Sequence, residues 1–313
     1  HHGLNERGED TLKKLSVVAL ICGLFAACSH SANLSRALGS VNERRAFGYL
    51  TAQTAFGPRN PGSRGHAACR DYLIRQLNAL TDTVELQHFQ PIDSRGNRTP
   101  PMTNIIGRIA PHQNRRYLLC AHWDTRPRAD RDPDPRRRDL PIPGANDGAS
   151  GVAVLLEIAT VLKRVSPPVG IDIVFFDGED YGEEGRLEDY FLGSREFARR
   201  WRGQKHEMAI LVDMVGDRNL QLPVEAFSWQ AAPEVVNRVW GAAERLGERA
   251  FIRSMGVEIQ DDHVPLIEAG WRAIDVIDFS YPYWHTHADT PDKCSPQSLG
   301  SVARVLLAAI IER

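Results

Sequence analysis

The chain has 313 residues, and its 38 Lys and Arg against 40 Asp and Glu give a formal net charge of −2. This balance excludes a generally basic nucleic-acid-binding protein, because neutralising phosphates needs a clear excess of cationic side chains. Hydrophobic residues make up 42% and charged residues 25% of the chain, which are ordinary globular values and argue against wholesale disorder.

Residues 1–28 are predicted to form an export signal. Two lysines precede residues 15–27, a run that is apolar apart from one serine and one glycine and is too short for a comfortable membrane span. Cys28 directly follows two alanines, which resembles a bacterial lipoprotein processing site. We therefore expect an exported bacterial protein that is periplasmic or anchored to the membrane only through a lipid on Cys28. A simple secretory signal cut near Ala27 is the alternative.

The predicted elements alternate along residues 29–313. Helices are predicted at 42–55, 65–80, 152–162, 194–201, 233–246 and 296–311, and strands at 83–89, 103–109, 117–121, 171–176, 208–214 and 273–278. Strands separated by helical crossovers indicate an α/β fold, with a mostly parallel mixed sheet covered by helices on both faces. We expect one globular catalytic domain, whose ligands bind beyond the carboxyl ends of the strands.

Residues 126–143 interrupt this alternation with many prolines and charges. We interpret them as a solvated surface loop. The alternative is a rim that contacts acidic peptide substrates.

The sparse cysteines limit how a metal could be held. Past Cys28 only Cys69, Cys120 and Cys294 remain, so at most one disulfide can form among them and the sequence leaves its pairing open. No pair has zinc-ribbon spacing, and any metal must therefore be held by histidines and carboxylates.

Acidic residues and histidines cluster after the predicted strands. These positions are His122 and Asp124, residues 146–151, residues 177–180, Asp213, residues 260–263, and residues 281–285. Carboxylates are costly to bury side by side unless a cation or a proton compensates their charge. The pattern therefore predicts a divalent metal at one sheet edge, and imidazole and carboxylate ligands without thiolate suit zinc.

From about residue 45 onward the chain resembles the zinc aminopeptidase family of exported and lysosomal enzymes. Within that family it is most similar to the animal-type glutaminyl-peptide cyclotransferases. The motifs that carry the resemblance are His122-x-Asp124, Asn146-Asp147-Gly-Ala-Ser-Gly, Phe175-Phe-Asp-Gly-Glu179-Asp180, Leu211-Val-Asp213-Met-Val-Gly216, Gln260-Asp261-Asp-His263-Val-Pro265 and Trp284-His285-Thr286.

The resemblance implies a role for each matching residue. It implies Asp147, Asp180 and His285 as the ligands of one catalytic zinc. It implies Glu179 as the general acid and base, Asp213 and Asp261 as members of a hydrogen-bond relay, and Trp284 as a wall of the substrate pocket. Tyr281 and His263 are further candidates for contacting substrate.

Two-metal peptidases of the same family offer an alternative arrangement. There His122 and Asp213 would hold a second zinc that Asp147 bridges, with Asp124 behind His122. In a one-zinc enzyme His122 would instead be a hydrogen-bonded neighbour oriented by Asp124. Asp180 is shorter than the glutamate typical of cyclotransferases, and the loop at 181–191 departs from theirs, so that Tyr190 or Phe191 would line the pocket.

The resemblance implies an enzyme that converts N-terminal glutamine of peptides to pyroglutamate and releases ammonia with one zinc. A two-zinc aminopeptidase and a non-catalytic peptide-binding protein are the alternatives. Peptide N-termini are the expected substrates in both enzymes, and a monomer is favoured.

Overall fold

The computed structural model describes residues 31–312, and the predicted export signal lies outside them. The helices are α1 (Glu43–Thr54), α2 (Arg64–Leu80), α3 (Ala149–Leu162), α4 (Leu192–Arg200), α5 (Ala226–Ala231), α6 (Pro233–Leu246), α7 (His263–Glu268) and α8 (Pro296–Ile311). The strands are β1 (Thr83–Phe89), β2 (Met102–Ile109), β3 (Arg116–His122), β4 (Gly170–Phe176), β5 (Met208–Asp213), β6 (Leu222–Val224), β7 (Phe251–Met255) and β8 (Ala273–Ile277). Residues 31–40 are also helical.

Six strands form the central sheet in the order β1-β2-β4-β3-β5-β8. β1 pairs antiparallel with β2, and β2 with β4, whereas β4, β3, β5 and β8 run parallel. The predicted mixed, mostly parallel sheet is therefore confirmed. The chain places β4 on one side of β3 and β5 on the other, so the strand order reverses at β3, and such reversals open a crevice at the carboxyl edge.

Helices cover both faces of the sheet, as the sequence predicted. The larger core packs α1, α2, α3, α6 and α8 against one face, and a second core packs α4 and α7 against the other. β4 is buried along its whole length, which explains why it is apolar apart from Asp172, whose buried carboxylate pairs with Arg116 and His206.

Local signals set several helix ends. Asn42, Ser63 and Ser295 each accept a hydrogen bond from the first turn of the helix that follows. Gly247 ends α6 with a φ of 71°, a backbone conformation that glycine adopts without strain. These ends lie within a residue or two of the predicted ones.

The helix at residues 31–40 and four shorter elements, β6, α5, β7 and α7, were not predicted from the sequence. β6 has three residues, one of them proline, and pairs with β7 in a separate two-stranded sheet. Segments this short carry too few residues for periodicity to show.

The interpretation of residues 126–143 as a solvated loop is only partly right. Residues 133–140 are mostly exposed and hold no regular element beyond the short turn Pro135–Arg137. Arg126 and Asp132, however, are buried, at 1% and 3% exposure. This loop therefore packs against the domain at its amino-terminal end, which bears on the site described below.

Within residues 31–312 no helix combines the length and apolar character needed to cross a bilayer. Cys69, Cys120 and Cys294 are buried free thiols, so no disulfide joins these three. The lipid anchor on Cys28 stays a prediction.

Candidate active site

The carboxyl edge of the parallel strands surrounds a cavity of about 280 Å³. β3 ends at His122 and β5 at Asp213, while loops after β4 and β8 carry the remaining acidic and imidazole groups. Predicted site residues that line the cavity are Asp147, Glu179, Asp180, Asp213, Asp261, Trp284 and His285. The structure thus brings together residues that are up to 138 positions apart, from 147 to 285.

Three donor atoms of Asp147, Asp180 and His285 face one another. His285 Nε2 lies 3.5 Å from Asp147 Oδ2 and 3.3 Å from Asp180 Oδ2. Both carboxylate oxygens are buried and have no hydrogen-bond partner. Buried oxygens without partners are costly, and a cation that accepts their lone pairs removes that cost. One imidazole nitrogen and two carboxylate oxygens fit a zinc ion that keeps a fourth position open.

The electrostatics of these three residues also favour a cation. Burial and the neighbouring Asp180 raise the pKa of Asp147 above its usual range. Burial opposes the charged form of His285, but Asp180 and Asp130 outweigh it and raise the imidazole pKa to about 9. The carboxylates therefore favour a positive charge at this position, which a bound cation would supply.

A second group of donors adjoins the first. His122 Nε2 lies 3.2 Å from Asp147 Oδ1 and 3.2 Å from Asp213 Oδ1. Asp124 Oδ1 lies 3.5 Å from the other ring nitrogen of His122, where an orienting partner was predicted. The geometry suits either a hydrogen-bonded His122 or a second metal, which His122, Asp147 and Asp213 would hold.

Gly148 allows the backbone after Asp147 to approach His122 and Asp124 closely. Gly148 has a φ of 91°, and a Cβ there would lie 2.7 Å from the Asp124 carbonyl oxygen and 2.9 Å from His122 Cε1. The residue after Asp147 must therefore lack a side chain for α3 to begin beside β3.

Glu179 occupies the cavity wall beside Asp180. Its backbone N–H donates to Asp124 Oδ1 at 3.1 Å, which fixes the turn after β4. The carboxyl group is buried at 9% residue exposure, and burial together with the charge of Asp180 raises its pKa well above the usual range. A carboxyl group with a raised pKa can both take and return a proton near neutral pH.

Asp261 and Asp213 border the same cavity, where a relay was predicted. Burial and the charge of Asp213 raise the pKa of Asp261 well above its usual range. Behind it lies Asp275 on β8, which is fully buried and whose pKa is likewise raised by burial and by Asp261. Asp275 was not predicted as a site residue, because it lies inside a strand where an aspartate looks like a solvent-facing residue.

Trp284 forms an aromatic wall of the cavity. Its indole stacks on the His285 ring with centroids 3.9 Å apart and an interplanar angle of 26°. His285, Met214 and Phe191 line the cavity and have positive φ values of 55°, 45° and 56°. Such backbone conformations are costly for residues other than glycine and cluster at functional sites.

Two predicted substrate contacts are not supported and need correction. Tyr281 is 3% exposed and outside the cavity lining, and its hydroxyl donates to Asp289 Oδ1 at 2.8 Å. Asp289 in turn accepts from the backbone N–H of Asp147, so Tyr281 supports the loop that carries a predicted ligand. His263 is fully buried, with Nε2 3.2 Å from Glu225 Oε2, and belongs to the packing beneath the cavity.

The buried end of the 126–143 loop contacts two predicted ligands, and these contacts were not predicted from the sequence. Arg126 Nη1 donates to Asp180 Oδ1 at 2.7 Å and a second nitrogen donates to the Tyr190 hydroxyl at 2.9 Å. Asp130 accepts from Arg126 and lies 3.5 Å from His285 Nδ1. Arg126 thereby leaves only Asp180 Oδ2 for a metal, while Asp130 orients the imidazole.

Asp130→Asn is expected to weaken zinc binding about 10–100-fold, the usual loss when the carboxylate behind a histidine ligand is removed. The substitution deletes both the charge and the acceptor beside His285. Competition for zinc with a chelator of known affinity measures the effect. Asp139→Asn, an exposed aspartate of the same loop, is the matched control. Equal zinc affinities for the two variants would contradict the orienting role.

The open mixed sheet, with an Asp, Asp and His donor set at its carboxyl edge, defines a metalloenzyme fold of the zinc exopeptidase type. The sequence profile of Peptidase family M28 matches residues 104–310. The chain therefore belongs to peptidase family M28.

The known proteins to which the chain is similar are described as glutaminyl cyclases or as exopeptidases. A solved structure of Bacteroides thetaiotaomicron glutaminyl cyclase bound to N-acetylhistamine is 38% identical with a TM-score of 0.84, over 87% of this chain and 98% of the other. A Parabacteroides distasonis structure described as a Zn-dependent exopeptidase is 37% identical with a TM-score of 0.84, over 87% and 99%. A glutaminyl-peptide cyclotransferase of Bothrops jararaca is 26% identical, over 81% of this chain and 77% of its own.

Proposed function

We propose that the protein is a glutaminyl-peptide cyclotransferase that converts the N-terminal glutamine of peptides to pyroglutamate and releases ammonia. The observation that carries the proposal is the small cavity in which Glu179 lies beside the open donors of Asp147, Asp180 and His285 under the Trp284 indole. Its similarity to the glutaminyl cyclase of Bacteroides thetaiotaomicron over 98% of that chain supports the same reaction.

The reaction joins the α-amine nitrogen of glutamine to its own side-chain carbonyl carbon and breaks the bond from that carbon to the amide nitrogen. Because both groups belong to one residue, holding the side chain folded removes much of the entropic barrier. The walls of the cavity, Trp284 above all, would enforce that folded shape.

Glu179 would move the proton. Its carboxylate takes a proton from the attacking amine and delivers it to the departing nitrogen, which leaves as ammonia. Its raised pKa suits both transfers. Asp213 and Asp261 line the cavity close by and would hold the hydrogen-bonded environment of that proton.

A zinc held by Asp147, Asp180 and His285 would polarise the amide carbonyl and stabilise the developing oxyanion. We propose one ion. The buried oxygens Asp147 Oδ2 and Asp180 Oδ2 of this group have no hydrogen-bond partner, whereas Asp213 Oδ1 of the neighbouring group is already hydrogen-bonded to His122 Nε2 at 3.2 Å.

A two-zinc aminopeptidase is the second candidate, and the His122, Asp147 and Asp213 group is the observation that favours it. Glu179 would then deprotonate a water that attacks the first peptide bond.

Substrate assays separate the two activities. We expect ammonia release from Gln-containing dipeptides and no amine release from a leucine arylamide. Amino-acid release from the arylamide, with no ammonia from the glutaminyl dipeptide, would establish the aminopeptidase instead.

We also propose that the enzyme acts outside the cytoplasm, on peptide N-termini, as the predicted signal in residues 1–28 suggests. Membrane fractionation of the full chain before and after Cys28→Ala measures the lipid anchor. A chain that stays cytoplasmic would rule out export.

A further inference from the structure

A second cavity of about 420 Å³ adjoins the active-site cavity. The two cavities share a wall made of Ile259, Ile277 and Phe279. Ile259 and Ile277 are buried, whereas Phe279 is 43% exposed and stands at the boundary between the two cavities. The outer cavity is therefore continuous with the rim of the active site.

The outer cavity presents large apolar side chains to solvent. Met255 is 54% exposed, Val257 is 61% exposed, and both lie with Phe279 along this cavity. We call these three residues the apolar shelf. Exposed apolar side chains that line one cavity together favour the binding of another apolar group there.

Another part of the active-site lining has a different chemistry. Arg131 and Glu184 lie there 3.5 Å apart, with side chains 53% and 76% exposed. Charged side chains keep their hydration and offer little to an apolar group. Apolar side chains of a peptide that extends out of the active-site cavity would therefore bind better on the apolar shelf than beside these charged groups.

We propose that the apolar shelf binds apolar side chains of the peptide substrate that follow the first two residues. The proposal rests on the proposed function, in which the first residue fills the active-site cavity and the remaining chain must pass over its rim. An extended peptide advances about 3.3–3.6 Å per residue, so each residue after the first lies further from the active-site cavity. The substrate class would be peptides with an N-terminal glutamine and an apolar segment close behind it.

The test compares amidated peptides that differ only after the second residue. We expect kcat/KM for Gln-Ala-Leu-Leu-amide to exceed that for Gln-Ala-Ser-Ser-amide about tenfold, a typical discrimination for an apolar site. In the double variant Met255→Ser, Val257→Ser, we expect this ratio to fall close to one. Amidation removes the terminal carboxylate, so that the comparison reports the side chains alone.

Ile92→Ser is the matched control, because Ile92 is 60% exposed and lines neither cavity. It is expected to keep the ratio of the unaltered protein. Gln-Ala-amide measures the reaction itself: if it is not cyclised, the proposed function fails, whereas cyclisation with equal rates for both tetrapeptides overturns only the apolar shelf.

Sedimentation of the unaltered protein and the double variant tests whether a second copy of the chain occupies the apolar shelf instead. A dimer that dissociates on Met255→Ser, Val257→Ser would assign the shelf to a second copy of the chain and overturn the proposal. A sedimentation coefficient that is the same for both proteins supports a peptide occupant. Circular dichroism of both serine variants verifies that they remain folded.

Discussion

Glu179→Gln is expected to lower kcat for cyclisation of a glutaminyl peptide by about 10²–10⁴-fold, the usual contribution of a positioned general acid and base. Glutamine keeps the size and hydrogen-bonding capacity of the side chain but cannot carry the proton from the amine to the leaving nitrogen. KM is expected to change little, because the change removes a group that acts mainly in the transition state. Steady-state ammonia release measures both constants.

The zinc content of Glu179→Gln is the decisive companion measurement. Glu179 is outside the Asp147, Asp180 and His285 donor group, so we expect the variant to bind as much zinc as the unaltered protein. Glu188→Gln, an exposed glutamate in the following loop, is the matched control and should retain full activity. Full activity of Glu179→Gln would refute its assignment as the proton carrier.

His285→Ala is expected to remove the catalytic zinc and to lower kcat about a thousandfold or more, since a metal supplies several kcal/mol of transition-state stabilisation. The alanine leaves the oxygens of Asp147 and Asp180 with no imidazole to complete the donor set. Metal analysis after dialysis, together with ammonia release, measures the change. His112 lies on an exposed turn, and the control variant His112→Ala should change neither the zinc content nor the rate of ammonia release.

The zinc content of His122→Ala, measured by the same metal analysis, distinguishes a one-zinc site from a two-zinc site. With one zinc, we expect one ion per chain in both the unaltered protein and His122→Ala, and none in His285→Ala. Two ions in the unaltered protein, falling to one in His122→Ala, would show that the His122 group holds metal and would favour the aminopeptidase. Zinc retained at full occupancy by His285→Ala would contradict the ligand assignment.

Patterns within short stretches predicted most of the fold. The apolar runs of β3, β4 and β5 and the amphipathic helices α2 and α8 were placed within about three residues, because burial of one face or of a whole strand leaves a periodic trace in the sequence. The short elements β6 and β7 left no such trace.

The sequence by itself also determined which residues could carry chemistry. Asp147, Asp180 and His285 each follow a strand or precede a helix, and parallel strands bring such positions to one edge. Glycines such as Gly148 strengthened the prediction, since they mark turns where backbone and side chains approach closely.

Only the tertiary structure decided which groups touch these residues. Arg126 reaches Asp180 across 54 positions, and Asp130 reaches His285 across a longer separation, in a segment whose composition resembled a solvated loop. Asp275 is buried inside a strand, and Tyr281 and His263 are buried outside the cavity lining although they lie in or next to the motifs. The physical reason is that contacts between distant segments depend on how the elements pack. The local sequence shows which face of an element is buried, but it does not show which residues of other segments contact that face.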